Sequence, residues 1–439
     1  MLLIVRYPTT KGCHHNETAA VRRDFRCIRS RHVPSFRRPA TNTHGEGSTL
    51  ERTRIAPEMA AIEAEMIALR RQLHAHPELG FEEYATSELV ASCLTTWGYR
   101  VTRGLGGTGV VGTLSRGAGP RRLGLRADMD ALPIRETTGL PHASRRDGVM
   151  HACGHDGHTA MLLAAARCIA ERARFDGTLN VIFQPAEEGR GGAKRMIDDG
   201  LFEQFPCDAV FAMHNVPGLP AGVLGFCDGP AMASADDVRV RVTGRGGHGA
   251  APHTTIDPVV VCASIVMALQ TVVSRNVNPQ ELAIVTAGSI HAGTASNVIP
   301  SYAELELSVR ALSPDVRTLL ETRIREIVHG QAASYGATAE IDYRHGYPVL
   351  VNHPAETAFA RDVAREWGGD DALIAHLRPI AASEDFAFML QACPGSYLSI
   401  GNGDGAAACG LHHSGYDFND ACIAIGASYW IALAERYLG

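Results

Sequence analysis

The stretch Leu179-Asn-Val-Ile-Phe-Gln-Pro-Ala-Glu-Glu188 decides the fold, because an apolar run of strand length ends in a proline and two acids. Runs of this length that stop at a turn residue are typical of buried strands. Similar apolar runs lie at residues 109–114, 122–127 and 209–213, whereas helical spacing of apolar residues lies at 60–73, 82–97 and 159–171. Because strands alternate with helices, the pattern predicts an α/β sheet with helices on its faces.

A second, smaller layer is predicted after Pro217, where the pattern changes. A strand at residues 238–242 leads into a glycine-rich turn, and the order continues as helix (258–273), strand (282–290), strand (302–311) and helix (315–331). This order is typical of an α+β layer inserted into a larger domain. The predicted domains are therefore 57–216 together with 333–439, and 217–332 between them.

Composition excludes several classes of partner. The formal net charge is −6 and no basic stripe crosses the regular part of the chain, so nucleic acid is not an expected partner. No window approaches the roughly 18 uninterrupted apolar residues of a membrane span, so no membrane partner is expected. Eleven scattered cysteines without a Cys-x-x-Cys pair favour a reducing compartment, taken here as the cytoplasm.

Residues 1–56 have a different composition, rich in arginine and poor in acids, without hydrophobic periodicity. The apolar run from Met1 to Val5 is too short for a signal peptide, and serine is too sparse for a typical transit peptide. A disordered or non-native basic tail is the expectation. The folded protein is expected to begin near Met59.

The stretch Met150-His-Ala-Cys-Gly-His-Asp-Gly-His-Thr159 concentrates potential metal ligands. Borderline metal ions accept thiolate and imidazole together, and the flanking glycines let Cys153 and His155 meet one ion. The alternative is a loop whose polar residues cap the following helix. Three histidines and one cysteine within eight residues make that alternative weak.

Glu187 and Glu188 directly follow the strand at 179–183. Adjacent carboxylates at a strand end project differently, so one can bind a metal ion while the other accepts a proton from water. Alone, such a pair is usually a solvated surface feature. His214, after another predicted strand, and His412-His413 near the C-terminus add imidazoles. Together with Cys153 and His155, these residues indicate two metal sites and metal-assisted hydrolysis.

The inserted layer carries its own polar candidates. His248 lies within Gly246-Gly-His-Gly-Ala250, where flanking glycines allow close approach to a substrate and a hydrogen bond to a developing oxyanion. Asn297 and Arg310 lie near strands of the same layer, and Arg310 could grip a substrate carboxylate through two hydrogen bonds. The alternative, a plain glycine turn and a surface arginine, stays open on these residues alone.

Seven motifs in a fixed order resemble the hippurate hydrolase and N-acyl amino acid amidohydrolase family, which includes indole-acetyl-amino acid hydrolases. The motifs are Leu73-His-Ala-His-Pro-Glu-Leu-Gly-Phe-Glu-Glu83, Arg126-Ala-Asp-Met-Asp-Ala-Leu-Pro133, His151-Ala-Cys-Gly-His-Asp-Gly-His-Thr159, Phe183-Gln-Pro-Ala-Glu-Glu188, Gly246-Gly-His-Gly-Ala250, Asn297-Val-Ile-Pro300 and Glu384-Asp-Phe386. The resemblance extends from Pro57 to the C-terminus.

The resemblance implies a catalytic α/β domain with a mixed central sheet, two divalent metal ions and a smaller lid domain used in dimerisation. The implied ligands are Cys153 as a bridge, His155, Glu188, His214 and His412. His412 is preferred to His413 because it follows Leu411, as the family's ligand does. The family often has a proline two residues after that ligand, where this chain has Ser414.

The resemblance also implies roles for the remaining residues. Glu187 would be the general base, and His248 the lid histidine that acts across a dimer interface. Asp128 and Asp130 would orient the ligands. The ions could be manganese, zinc, cobalt or nickel, because mixed sulfur, nitrogen and oxygen ligands tolerate all four. The expected enzyme is a metal-dependent amidohydrolase that cleaves small N-acyl amino acids and forms a homodimer or homotetramer.

Two other interpretations fit the same residues. The same catalytic residues would serve a dipeptidase, a carboxypeptidase or an N-acetyl-diamino acid deacetylase, because substrate choice depends on the cleft and the lid. A protein that binds metal or peptide without catalysis is the alternative from another class. The presence of Glu187 and His248 argues against it.

Overall fold

The computed structural model describes residues 55–374, 376–405 and 409–439. The basic tail predicted for residues 1–56 lies, up to residue 54, outside the described residues. The helices are α1 (Pro57–Ala75), α2 (Tyr84–Thr96), α3 (His155–Arg172), α4 (Glu187–Arg190), α5 (Gly192–Asp198), α6 (Leu201–Gln204), α7 (Pro258–Asn276), α8 (Pro314–Ser334), α9 (Pro354–Gly368), α10 (Phe386–Ala392) and α11 (Ala421–Leu438), with short 3₁₀ turns at Pro252–Thr254 and Asp370–Ala372.

The strands alternate with these helices along the chain. They are β1 (Arg100–Leu105), β2 (Gly109–Arg116), β3 (Arg122–Asp128), β4 (Gly177–Gln184), β5 (Ala209–Val216), β6 (Leu224–Phe226), β7 (Gly229–Met232), β8 (Ser234–Thr243), β9 (Gly247–His248), β10 (Ala283–Ala292), β11 (Val298–Ile299), β12 (Tyr302–Ala311), β13 (Thr338–His345), β14 (Leu350–Asn352) and β15 (Gly395–Gly401).

Seven strands form the large sheet, in the order β1-β2-β4-β3-β5-β15-β6. The central pairs β4–β3, β3–β5 and β5–β15 are parallel, whereas the outer pairs are antiparallel. The predicted α/β class with a mixed central sheet is therefore confirmed. Because β4, β3 and β5 are parallel neighbours, their carboxyl ends lie at one edge of the sheet.

The large sheet is buried on both faces, which explains its nearly continuous apolar strands. On β4, Val181 and Phe183 point to the face covered by α1, α3 and α11, whereas Ile182 points to the opposite face. The opposite face is covered by α5 and α10, with Met196 and Phe386 in its core. The sheet and its helices thus form a rigid support for residues at the strand ends.

The small sheet has the order β10-β12-β8-β13 and is antiparallel throughout. Its strands alternate strictly, as in β8, where Val238, Val240 and Val242 are buried under α7 and α8. The opposite face is open and carries ion pairs such as Arg239 to Glu306 at 2.9 Å. This alternation is typical of an antiparallel sheet with one solvated face.

The strand pairing bears on the predicted domain boundaries at 217 and 332. Leu224–Phe226 pairs with β15 in the large sheet, although it follows residue 217. Thr338–His345 pairs with β8 in the small sheet, although it follows residue 332. By strand pairing, the small layer therefore extends from Ser234 to His345. Residues 338–345 alternate between exposed and partly buried positions, as expected for a strand of a sheet with one open face.

Helix α7 is, within the described ranges, the helix that has the length and composition of a membrane span, with a mean hydropathy of 1.6. Its residues Val261, Ile265 and Leu269 are buried against the small sheet. Its outer face carries Val260 and Met267, which are exposed. A helix with one face in a protein core is an ordinary part of an α+β layer.

Candidate metal centre

The predicted ligands lie at the carboxyl edge of the large sheet. Asp128 ends β3, Glu187 follows β4, and His214 lies near the end of β5. Cys153 and His155 join them from the start of α3. A side chain added at Gly154 would come within 2.6 Å of the hydroxyl of Tyr416, and Gly154 has a φ of 90°. Only glycine therefore lets the two donors approach the sheet so closely.

Five donors from distant parts of the chain meet at this edge. The Sγ atom of Cys153 lies 3.3 Å from Nε2 of His214, and Nε2 of His412 lies 3.2 Å from Oε1 of Glu188. Ligand atoms of Cys153, His155 and His214 all lie within 4.8 Å of one another, and so do those of Cys153, Glu188 and His412. Cys153 belongs to both groups, which is the position of a bridging ligand.

Two aspartates orient the donors. Nδ1 of His155 donates to Oδ1 of Asp130 at 3.1 Å, and the backbone N–H of Glu188 donates to Oδ2 of the same carboxylate at 2.9 Å. Asp128 accepts from Nδ1 of His158 at 2.6 Å. A hydrogen bond at one ring nitrogen fixes the orientation of an imidazole and leaves the other nitrogen as a ligand. Asp130 thus supports one ligand from each donor group.

The polar atoms at the centre fit bound cations. Nε2 of His155 is buried and has no hydrogen-bond partner within the part of the chain that is described. Buried polar atoms without a partner are rare in folded proteins. Nδ1 of His214 donates to the carbonyl oxygen of Asn215 at 2.7 Å, so its Nε2 is the free nitrogen. Thiolate, imidazole and carboxylate in one cluster match borderline divalent metals.

Burial and charge shift the acidities at this centre. Burial, with the carboxylates of Glu384 and Glu188 nearby, holds the pKa of Glu187 well above its usual range. Burial and the neighbouring His158 hold the pKa of His214 well below its usual range. His214 is therefore neutral, which is the form that binds metal. A raised carboxyl pKa suits a group that must accept and then return a proton near neutrality.

His412 is held in a special backbone conformation. Its φ is 62°, one of three positive values among the non-glycine residues described. Its N–H donates to the carbonyl oxygen of Ala152 at 2.8 Å, which ties it to the residue before Cys153. Hydrogen bonds to Cys153 and Glu188 raise the pKa of His412 to about 10. His413 is exposed and belongs to neither donor group.

A cavity of about 510 Å³ opens onto four of the five donors, with His155 buried behind its wall. Glu187 and Tyr347 lie on the wall beside the donors, and Arg310 of the small layer lies on another wall. Nη1 of Arg310 donates to the hydroxyl of Ser383 at 3.0 Å. The remaining lining is largely apolar, with Met232, Leu377 and Ile380 among its residues. The cavity therefore lies between the large sheet and the small layer.

Not every predicted residue reaches the cavity. His248 and Asn297 lie together, because β9 pairs with β11 and the Gly249 N–H donates to the carbonyl oxygen of Asn297 at 2.8 Å. Both side chains are exposed, and neither lines the cavity of this chain. The structure thus brings together the five predicted ligands, both aspartates, Glu187 and Arg310. It leaves His248 and Asn297 on a separate surface of the small layer.

Several residues at the centre belong to sequence motifs but had no predicted role. The buried guanidinium of Arg126 donates to Asp128 at 2.7 Å and to Glu384 at 3.0 Å. Asp385 accepts from the side-chain amide of Gln184 at 2.7 Å. The Tyr397 hydroxyl donates to Glu384 at 2.8 Å, and no sequence motif pointed to that residue. This network supports Asp128 and places negative charge beside Glu187.

The sequence also matches a known protein family. Residues 124–436 match the model of the peptidase family M20/M25/M40. The chain is a member of the M20 family. The resemblance to hippurate hydrolases and related amidohydrolases is thereby confirmed, together with the prediction of a metal-dependent amidohydrolase.

Three relatives illustrate the range of this M20 group. The chain is 44% identical to a hippurate hydrolase of Campylobacter jejuni, over 88% of this chain and 99% of the relative. It is 37% identical to an N-acetyl-L-cysteine deacetylase of Bacillus subtilis, over 91% of this chain and 94% of the relative. The crystal structure of the Bacillus subtilis YXEP protein, described as a dinuclear metal binding peptidase of the M20 family, matches with a TM-score of 0.76 at 34% identity, over 86% of this chain and 99% of that one.

Proposed function

We propose that this M20 protein hydrolyses the amide bond of N-acyl amino acids, releasing a carboxylate and a free amino acid. The observation that carries the proposal is the cavity in which two donor groups sharing Cys153 lie beside the buried carboxylate of Glu187. Hippurate and N-acetyl amino acids are the proposed substrate types, in line with the two named relatives. The Arg310 guanidinium on the cavity wall supplies a partner for the carboxylate of the amino acid.

Two divalent ions would be held by Cys153, His155 and His214 on one side and by Cys153, Glu188 and His412 on the other. Bound there, manganese, zinc, cobalt or nickel would make a water molecule acidic and polarise the amide carbonyl. The orphaned Nε2 of His155 and the shared thiolate support this assignment.

Glu187 is the proposed general base. Its side chain is buried at the cavity wall, next to the ligand Glu188. It would take a proton from the attacking water and return it to the departing amide nitrogen. The raised pKa supports both transfers, because a carboxyl that holds a proton more tightly than usual is a stronger base towards water and can return the proton to the leaving nitrogen.

The small layer, here proposed to span residues 234–345, would act as a lid and as a dimer contact. Its outer surface carries Val260, Met267 and Ile290 in exposed positions. His248 and Asn297 lie outside the cavity of their own chain, so we propose that they complete the site of a partner subunit in a homodimer or homotetramer. His248 would donate a hydrogen bond to the developing oxyanion there.

Peptide hydrolysis is the second candidate, since the matched family is a peptidase family. A dipeptide offers the same amide bond and the same terminal carboxylate to Arg310. The difference is the free amino group, which would enter the apolar part of the cavity near Met232 and Leu377. Because a charged amine is costly to bury there, acylated substrates are favoured.

The cytoplasm is the proposed compartment, with all nine described cysteines free.

A substrate panel tests the proposed function. Metal-reconstituted enzyme would be assayed with hippurate, N-acetyl amino acids, N-acetyl-diamino acids and the dipeptides that match them in side chain. We expect kcat/KM to be at least tenfold higher for an acylated substrate than for its matched dipeptide. A preference for dipeptides would overturn the assignment, and absence of turnover with all four metals would overturn the enzyme mechanism.

Arg310→Ala is expected to raise KM for hippurate at least tenfold and to change kcat much less. Arginine contributes a paired hydrogen bond to the substrate carboxylate, and that contact is present in both the bound and the transition state. The matched control is Arg245→Ala, because Arg245 is an exposed arginine of the same layer that does not line the cavity. An unchanged KM in Arg310→Ala would rule out the contact.

A further inference from the structure

The loop that carries Glu187 has an unusual backbone. Ala186, directly after Pro185, has a φ of 54° and a ψ of 45°, in the left-handed region. Glu188 and Gly189 also depart from helical angles inside the short turn α4. An alanine in the left-handed region is uncommon and persists only when the surrounding structure holds it there. The groups that hold Ala186 therefore determine where the neighbouring Glu187 points.

A buried carboxylate from another part of the chain holds this loop. The N–H of Ala186 donates to Oε1 of Glu83 at 2.8 Å. The hydroxyl of Thr108 donates to Oε2 of Glu83 at 2.6 Å. Glu83 is wholly buried, although it directly precedes α2 and follows the exposed Glu82. One oxygen of this buried acid accepts from a backbone N–H and the other accepts from a hydroxyl. The acid therefore fixes the position of the backbone that it contacts.

Gly80, which is buried, packs against the same loop. A Cβ atom at Gly80 would lie 3.0 Å from both Cα and Cβ of Ala186, which is closer than ordinary packing permits. The carbonyl oxygen of Gly80 accepts a hydrogen bond from Arg190, at the end of α4. Gly80 and Glu83 belong to the motif at residues 73–83, which the proposed mechanism leaves without a role. Both contact the loop at Ala186, one residue before the proposed base.

We propose that Glu83 and Gly80 are positioning residues, which hold Ala186 in its left-handed conformation and so aim the Glu187 carboxylate at the reacting centre. The proposal rests on the proposed function, because it takes Glu187 as the general base. Neither residue lines the cavity or belongs to a donor group. Their loss should therefore affect the chemical step more than substrate binding or metal content.

Glutamine is a close replacement for Glu83 at this position. Its carbonyl oxygen can accept from the Ala186 N–H, while its NH₂ group donates to the Thr108 hydroxyl oxygen. Burial raises the pKa of Glu83 to about 7, so its neutral form is already populated near neutral pH. Glu83→Gln should thus preserve the hold on the loop, whereas Glu83→Ala removes it.

The experiment compares Glu83→Ala, Glu83→Gln and Gly80→Ala with two matched controls and with Glu187→Gln. Glu82→Gln changes the adjacent exposed glutamate, whose partner is Arg146 at 3.2 Å. Gly330→Ala adds a methyl group to a helical glycine with no atom within 4 Å of the new Cβ. Steady-state kinetics on the best substrate of the panel, metal content and melting temperature would be measured for each purified full-length variant.

We expect Glu83→Ala and Gly80→Ala to lower kcat at least tenfold, with KM changed less than threefold and with metal content unchanged. Glu83→Gln and both controls should stay within threefold of the wild-type kcat. If Glu83→Ala does not fold, Gly80→Ala decides alone, because it removes no polar group. The proposal is overturned if kcat is retained in Gly80→Ala, or if its loss only follows the fraction of folded, metal-loaded protein. Retention of activity in Glu187→Gln would instead contradict the proposed function.

Discussion

Glu187→Gln is expected to lower kcat by about 10³-fold, the size of a general acid–base contribution, while metal content and melting temperature stay close to those of the wild type. The amide keeps the size of the side chain but cannot take a proton from water or return one to the leaving nitrogen. KM should change little, because Glu187 acts in the transition state and does not grip the substrate. Steady-state kinetics with hippurate and elemental analysis of the same preparation provide the measurement.

The matched control for this substitution is Glu203→Gln, which changes an exposed glutamate of α6. It should leave kcat within twofold of the wild type. A Glu187→Gln enzyme that keeps more than a tenth of the wild-type kcat would show that another group moves the proton. Glu384 would then be the group to replace next, since it lies in the same cavity wall and in one carboxylate cluster with Glu187.

Cys153→Ala is expected to abolish measurable turnover and to reduce bound metal from two ions to one or none per chain. The reason is that its Sγ atom belongs to both donor groups, so its removal takes one ligand from each ion. Inductively coupled plasma mass spectrometry on protein dialysed against manganese or zinc would count the ions. Chelation of the wild-type enzyme should give the same loss, and added metal should reverse it in the wild type only.

Cys93→Ala is the control for this second substitution. Cys93 is a partly buried free cysteine on α2 and belongs to neither donor group. Its loss should leave metal content at two ions per chain. Full metal content in Cys153→Ala would mean that the thiolate is not a bridge, and the shared position of its Sγ atom would then need another explanation.

The elements that sequence reasoning found share one property, a regular apolar pattern. Strand β4 is largely apolar because both faces of the sheet are covered, and β8 alternates because one face is open. Strand β15 carries no regular apolar pattern because Gly395-Ser-Tyr-Leu-Ser-Ile-Gly401 mixes small and polar residues with apolar ones, although all seven are buried between β5 and β6. Its buried Ser396 is satisfied by Thr357, a partner that sequence alone does not reveal.

In the candidate site, too, the sequence could not show which residues contact each other. Strand ends predicted where Glu187 and His214 would lie, but they could not separate His155 from His158, which are three residues apart. The structure separates them: both ring nitrogens of His158 are engaged, by Asp128 and by the N–H of Asn215, whereas Nε2 of His155 has no hydrogen-bond partner among the described residues. The contact of Arg126 with Glu384 joins residues 258 positions apart. Such pairings depend on tertiary structure and leave no local signal.

The central claim is that two ions share Cys153, and anomalous X-ray diffraction from crystals of manganese-reconstituted protein tests it most directly. We expect two anomalous peaks per chain. One lies beside Cys153, His155 and His214, and the other lies beside Cys153, Glu188 and His412. A map without a peak beside Cys153, or with a single peak at Glu187, Glu384 and Asp385 instead, would contradict it.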